Sequence, residues 1–108
     1  AIGYPPIKSD KGVPLLSQNR QFQYFNSPTF IYPMVPAYAA SLAQEKGYDV
    51  VWMDGIAERL SLDEWVGQLK KEKPGLLMIE AKTPVIKFYW DIVEKLKKEC
   101  PDLIIVMV

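Results

Sequence analysis

Residues 75–84 read Gly-Leu-Leu-Met-Ile-Glu-Ala-Lys-Thr-Pro, and this stretch decides the fold. Its four apolar residues, Leu76–Ile79, run without alternation, as in a parallel strand that helices cover on both faces. Pro84 cannot continue a strand, because its ring fixes φ and it lacks an N–H donor, but it suits the first turn of a helix. We therefore predict a buried parallel strand with three polar side chains at its carboxyl end, Glu80, Lys82 and Thr83.

Three further segments are predicted to be strands of the same sheet. They are residues 1–3, residues 48–53, and residues 103–108, whose apolar run is typical of a fully buried strand. Pro5 and Pro6 end the first of these strands, and Asp54-Gly55 ends the second.

Helices are predicted between the strands. Pro36 suits the first turn of one helix, which Gly47 closes. Ser61 and Glu64 have the spacing of a capping box that opens a second helix. After Pro84, apolar residues recur with a helical period over residues 85–96. The alternation of strands and helices predicts one α/β domain over residues 1–108, with a parallel sheet and right-handed crossovers.

Residues 7–33 show neither a helical nor a strand period, so we predict a long loop. Aromatic residues are dense in it, which argues against simple disorder because such side chains seek burial. Two interpretations stay open: the rings pack on their own domain, or the loop is a lid that covers a ligand or docks on a neighbouring domain. The aromatic residues are Phe22, Tyr24, Phe25, Phe30 and Tyr32.

Composition excludes several classes of function. The 13 basic residues equal the 13 acidic ones, so no net field favours nucleic acid or an anionic membrane. No apolar run is long enough for a membrane span. The single cysteine, Cys100, rules out an internal disulfide and fits a reducing cytoplasm. The sequence has no histidine, which removes the commonest metal ligand and general base.

In an open parallel sheet, ligands bind outside the carboxyl ends of the strands. Three loops should meet there, and we call them the ledge: residues 4–6, 54–55 and 80–84. Lys82 would bring a positive charge to the free amides of the following helix, a favourable place for a phosphate, and Thr83 could donate and accept hydrogen bonds. The alternative is structural, with Thr83-Pro84 only a helix cap and Glu80-Lys82 only a surface ion pair.

Other sites are excluded by what the sequence lacks. The first strand is followed by Tyr4-Pro5-Pro6 and not by a glycine-rich phosphate loop, so a flavin or nucleotide carrier is the weakest interpretation. Zinc, redox-cysteine and Ser-His-Asp sites are ruled out by the cysteine and histidine counts.

A series of landmarks resembles a known family. They are Tyr4-Pro5-Pro6, Pro36-Ala-Tyr-Ala-Ala-Ser-Leu-Ala, Lys46-Gly-Tyr-Asp-Val50, Asp54-Gly-Ile-Ala-Glu58, Lys73-Pro-Gly-Leu-Leu77, Ala81-Lys-Thr-Pro84 and Cys100-Pro-Asp102. Their order and spacing resemble the amino-terminal cobalamin-binding domain of radical S-adenosylmethionine enzymes. That group includes cobalamin-dependent methyltransferases and the Mg-protoporphyrin IX monomethyl ester oxidative cyclase.

The resemblance implies a flavodoxin-like (Rossmann-like) three-layer sandwich of strand order 2-1-3-4, truncated before a fifth strand. It implies cobalamin bound across the ledge without a histidine ligand, and presented to a carboxyl-terminal barrel. The barrel, with its iron–sulfur cluster and S-adenosylmethionine, would lie in a parent enzyme beyond residue 108. The fragment itself would not be catalytic, and the parent would be a cyclase-type oxidoreductase or a methyltransferase.

Carried over by position, the resemblance marks Tyr4, Pro5, Pro6, Thr83 and Pro84 as cofactor-binding residues. Asp54 and Lys82 are added as residues of the ledge, which gives seven candidate cofactor-binding residues. Two residues depart from the family pattern, Met78 at a position where glycine is common and Glu80 where a small serine or threonine is common. A glutamate there would bring a bulky anion beside the corrin. The alternative function is therefore a cofactor-free structural or interaction module. The uncovered fourth strand also predicts self-association through the sheet edge.

Overall fold

The computed structural model describes residues 1–6, 13–16, 22–25 and 32–108. The strands, in chain order, are β1 (Ile2–Tyr4), β2 (Val13–Leu16), β3 (Phe22–Phe25), β4 (Trp52–Asp54), β5 (Leu76–Ile79) and β6 (Ile104–Met107). The helices are α1 (Met34–Glu45), α2 (Leu62–Glu72) and α3 (Ile86–Glu99).

The main sheet has four parallel strands in the order β4-β1-β5-β6. Counted along the alternating part of the chain this order is 2-1-3-4, so the predicted α/β, flavodoxin-like fold is confirmed. The strand predicted from the opening stretch is also confirmed, with the bounds Leu76–Ile79.

Helices lie on both faces of the sheet. Two ion pairs join α2 to α3. Lys95 Nζ lies 2.9 Å from Asp63 Oδ1, and Lys70 pairs with Glu99. These two helices are therefore neighbours on one face of the sheet. Right-handed crossovers then require α1 on the opposite face. Within the described ranges, no helix is long and apolar enough to cross a membrane.

The core lies between the sheet and the α2–α3 layer. Trp65, Leu69, Leu77, Ile79 and Leu96 are at most 1% exposed. The Trp65 ring packs under Gly3 of β1, and its indole N–H donates to the Met53 carbonyl at 3.2 Å. This single side chain therefore ties α2 to the two strands β1 and β4.

The helix ends follow the sequence signals closely. The capping box of α2 is confirmed: Glu64 N–H donates to the Ser61 hydroxyl at 3.2 Å, and Ser61 N–H donates to the Glu64 carboxylate at 2.8 Å. α1 begins at Met34, two residues before the predicted start at Pro36, and ends before Gly47, whose φ of 88° suits glycine.

The predicted loop over residues 7–33 differs from the structure in its middle. Here β2 and β3 pair antiparallel, with Val13 opposite Phe25 and Leu16 opposite Phe22. Each strand has only four residues and one of them contains Pro14, so the sequence showed no clear alternation. The rest of the predicted loop up to residue 31 lies outside the described residues.

The prediction that the last strand is fully buried was wrong. In β6, alternate residues are exposed: Ile104 by 60% and Val106 by 38%. The other residues of the strand, such as Ile105, pack against the core. The sequence of an apolar run does not reveal whether a second layer covers it.

Gly3→Ala is expected to destabilise the fold by about 1–3 kcal/mol, the usual cost of overpacking a core. A Cβ at this position would lie 2.7 Å from Trp65 Cζ2 and 3.0 Å from Leu77 Cδ1. Gly67→Ala is the matched control, because nothing lies within 4 Å of its Cβ position in α2. The control should gain about 0.5–1 kcal/mol from helix propensity. Equal urea-unfolding free energies for the two variants would contradict the close packing at Gly3.

Candidate functional site

The ledge forms where β1, β4 and β5 end at the same edge of the sheet. Tyr4 and Asp54 are register partners at the ends of β1 and β4, and Glu80 directly follows β5. The topology thus brings together three loops that are far apart in sequence, as the sequence analysis predicted from the parallel sheet.

A hydrogen-bonded chain of three side chains occupies the centre of the ledge. The Tyr4 hydroxyl donates to Glu80 Oε2 at 2.9 Å, and the Lys82 ammonium lies 2.9 Å from Glu80 Oε1. The Glu80 and Lys82 side chains are only 17% and 23% exposed. The predicted Glu80–Lys82 ion pair is therefore present, and it is more enclosed than an ordinary surface pair.

Tyr4 is held in its neutral form. Only 2% of the residue is exposed, and this burial raises the pKa of its hydroxyl. The hydrogen bond to Glu80 and the negative charge of that carboxylate raise the pKa further. Tyr4 is consequently a fixed donor that holds Glu80 down against the end of β1.

Pro5 and Pro6 are buried beneath this chain of side chains. The packing there is tight: a Cβ on Gly55 would lie 2.9 Å from Pro6 Cδ and 2.6 Å from Trp65 Cδ1. The two prolines therefore form the floor of the ledge and add little to its open surface.

Asp54 shapes the second loop of the ledge. Its Oδ1 accepts hydrogen bonds from the backbone N–H groups of Ile56 at 3.2 Å and Ala57 at 2.9 Å. This arrangement is an Asx-type turn that ends β4. One carboxylate oxygen of Asp54 is thus engaged in building the loop.

The third loop carries Thr83 and Pro84 in a short 3₁₀ turn, Thr83–Val85, that leads into α3. No side-chain capping hydrogen bond opens either the turn or α3. The Thr83 side chain therefore does not cap a helix, contrary to the structural alternative. Thr83 is exposed at the rim of the ledge.

Tyr89 of α3 carries a buried polar group that sequence reasoning did not single out. The helical period predicted it correctly as a core residue of α3, and it is 0% exposed. Its hydroxyl, however, has no hydrogen-bond partner within the described part of the chain. Burial raises the pKa of this hydroxyl, and the negative charges of Glu80 and then Asp54 raise it further. A tyrosine among otherwise apolar core positions was the one available signal.

Two aromatic rings line the β4 side of the ledge. Trp52 lies 5.6 Å from the Tyr4 ring and 6.1 Å from Tyr32, with which it is stacked. Tyr32 belongs to the segment predicted as an aromatic loop or lid, and it is 66% exposed. The end of that segment therefore lies beside the predicted site.

Among the described residues, no group of three or more histidine, cysteine, aspartate or glutamate side chains could hold a metal ion. What the ledge offers is hydroxyl, carboxylate and ammonium groups, which suit hydrogen bonding to an organic ligand.

Comparisons with protein-family models, with curated proteins and with solved structures found no match to this chain.

Proposed function

We propose that this chain binds cobalamin at the ledge and serves as the cobalamin-binding domain of a radical S-adenosylmethionine enzyme. The observation that carries the proposal is the cluster of polar groups formed by Tyr4, Glu80 and Lys82 at the carboxyl ends of the strands. In an open α/β sheet this edge is where ligands bind.

The residues of the ledge fit a cofactor that is held by its periphery. Cobalamin carries primary amide groups around its corrin ring, and the hydroxyl of Thr83 and the carboxylate of Glu80 can each hydrogen-bond to an amide. With no histidine in the chain, no imidazole can bind the cobalt. When bound, the cofactor would supply methyl-group or one-electron chemistry through its metal.

The position of Glu80 removes an objection to this proposal. A glutamate side chain without a partner at this position would place an unpaired negative charge next to the corrin ring. Glu80 instead accepts from Tyr4 and pairs with Lys82, and its side chain is mostly buried. Its charge is balanced by the ammonium before any ligand arrives. Because the Lys82 ammonium is paired with Glu80, less of its positive charge is available to the phosphate of the cofactor. A contact between Lys82 and that phosphate stays a prediction.

The remaining parts of the proposal concern the parent enzyme. A carboxyl-terminal barrel with an iron–sulfur cluster and S-adenosylmethionine would receive the corrin, in a cytoplasmic methyltransferase or an oxidative cyclase of the Mg-protoporphyrin IX monomethyl ester type. The chain described here would supply binding and orientation, and no catalytic residue.

Cobalamin binding is testable on the chain itself. Incubated with hydroxocobalamin and then desalted, the protein should retain the visible absorption of the corrin. Thr83→Val, which removes an exposed hydroxyl at nearly constant shape, should weaken binding, whereas Ser41→Ala, which removes an exposed hydroxyl from α1, should not. Loss of all colour from the wild-type protein would contradict the proposal.

A cofactor-free interaction module is the second candidate, and the outer surface of α1 favours it. Val35, Tyr38 and Leu42 are 64%, 67% and 55% exposed, at spacings that place them along one side of the helix. Apolar side chains exposed in this way mark protein contacts. Uncoloured protein that still bound a separately expressed barrel would support this candidate.

Self-association through β6 is a further part of the proposal. Among the described strands β6 pairs only with β5, and its other edge carries no charged residue to discourage pairing. We expect the apparent mass in gel filtration to rise with concentration, and Ile104→Lys to reduce that rise. Trp90→Lys, at an exposed apolar position on α3, is the control. A monomer at every concentration would contradict the expectation.

A further inference from the structure

A cleft opens at the end of the sheet opposite to the ledge. It lies where α2 and α3 end and where the chain turns into β5 and β6, and its volume is about 380 Å³. Clefts that bind small molecules typically have volumes of roughly 300–1,000 Å³. The cleft is formed at the amino ends of the strands and shares no residue with the ledge, so it is a separate candidate site.

The lining of the cleft combines buried apolar side chains with exposed charged ones. Leu69 and Leu103 line it and are only 1% and 5% exposed, and two prolines add further apolar surface. An apolar lining with a few polar groups is typical of a small-molecule site. The charged residues of the lining are Lys70, Lys73, Glu99 and Asp102.

Two of these four charges neutralise each other. Lys70 forms an ion pair with Glu99. Within the described part of the chain, the side chains of Lys73 and Asp102 form neither an ion pair nor a hydrogen bond. One cation and one anion are therefore left at the same opening. A ligand with a single charge would be attracted by one of them and repelled by the other, whereas a ligand with both charges matches both.

The backbone that carries these two side chains is held in place by hydrogen bonds. Lys73 ends α2, and its N–H donates to the Leu69 carbonyl at 3.0 Å. The ammonium of Lys97 donates to the carbonyls of the two residues that flank Asp102, one of them at 2.9 Å. Since both ends of the cleft are ordered in advance, a ligand would not have to order them on binding.

We propose that this cleft binds a small zwitterion, an α-amino acid with an apolar side chain. The carboxylate of the ligand pairs with Lys73, its ammonium group pairs with Asp102, and its apolar side chain packs on Leu69 and Leu103. This inference does not depend on cobalamin binding at the ledge.

Cys100 provides the measurement, because it is the single cysteine of the chain, is half-buried and lines the cleft. A bound ligand should slow its alkylation by iodoacetamide. The probes are leucine, isoamylamine, which lacks the carboxylate of leucine, and isocaproate, which lacks its ammonium group. At constant ionic strength and pH, leucine should protect Cys100 at concentrations about fivefold lower than either analogue, the effect of one exposed ion pair.

Substitutions of the two charged residues test their separate roles. Lys73→Gln should remove the advantage of leucine over isoamylamine, and Asp102→Asn should remove its advantage over isocaproate. Lys71→Gln is the matched control, because Lys71 is exposed in the same last turn of α2 but does not line the cleft. Equal protection by the three compounds, no protection by leucine, or an advantage of leucine that survives both substitutions would overturn the inference.

Discussion

Trp65→Ala is expected to lower the free energy of unfolding by about 3–5 kcal/mol, the range for removing a large buried aromatic ring. The ring is 0% exposed, packs under Gly3 and Gly55, and donates its N–H to the Met53 carbonyl. Its loss would open a cavity beneath β1 and remove a link between α2 and β4. A domain of this size has a total free energy of unfolding of only about 5–15 kcal/mol, so the substitution would remove a large fraction of it.

Trp90→Ala is the matched control for this substitution. Trp90 lies on α3 and is 58% exposed, so the same change there should cost no more than about 0.5 kcal/mol. Urea unfolding followed by far-ultraviolet circular dichroism measures both variants without relying on tryptophan fluorescence. Similar losses for the two variants would mean that Trp65 does not organise the core as its contacts indicate.

Local signals in the sequence were sufficient for the elements that have strong boundaries. The strand Leu76–Ile79 lies between Gly75 and the polar residues before Pro84, and its apolar run admits few other interpretations. The start of α2 was equally clear, because a capping box specifies both the residue types and their spacing. The strand order then follows once the topology of a flavodoxin-like sheet is assumed.

Exposure of β6 could not be predicted from its own residues. Ile104 and Val106 are as apolar as any buried strand residue, yet both are exposed. Burial of a strand depends on the element that packs over it, and the residues of the strand do not show whether such an element is present.

The position of the ledge could be predicted from the sequence, but the contacts among its side chains could not. Parallel strands end at one edge, so the sequence brought Tyr4 and Glu80 near each other although 76 positions separate them. The contact that a hydroxyl makes depends on side-chain rotamers and on burial, and the local sequence determines neither. For the same reason the helical period identified Tyr89 as a core residue without showing that its hydroxyl would meet no described partner.

Stability is expected to fall steeply above pH 10, because the fold holds two tyrosines in their neutral form. Burial raises the pKa of both Tyr4 and Tyr89 above the ordinary value of 10.0. Above that pH the unfolded chain releases two protons that the folded chain keeps. The unfolded state gains from this release, so stability is complete below pH 10 and is lost as the pH rises. Each proton contributes about 1.4 kcal/mol per pH unit, or about 2.7 kcal/mol per unit for the pair.

Single variants separate the two tyrosines. Tyr4→Phe and Tyr89→Phe should each remove about half of the alkaline slope, measured by urea unfolding between pH 8 and pH 11, whereas Tyr48→Phe should leave it unchanged. At neutral pH the two variants should differ. Tyr4→Phe leaves Glu80 without its donor and costs about 1–3 kcal/mol, while Tyr89→Phe removes a hydroxyl that has no described partner and should be neutral or stabilising. A loss of stability on Tyr89→Phe at neutral pH would mean that this hydroxyl already has a hydrogen-bond partner.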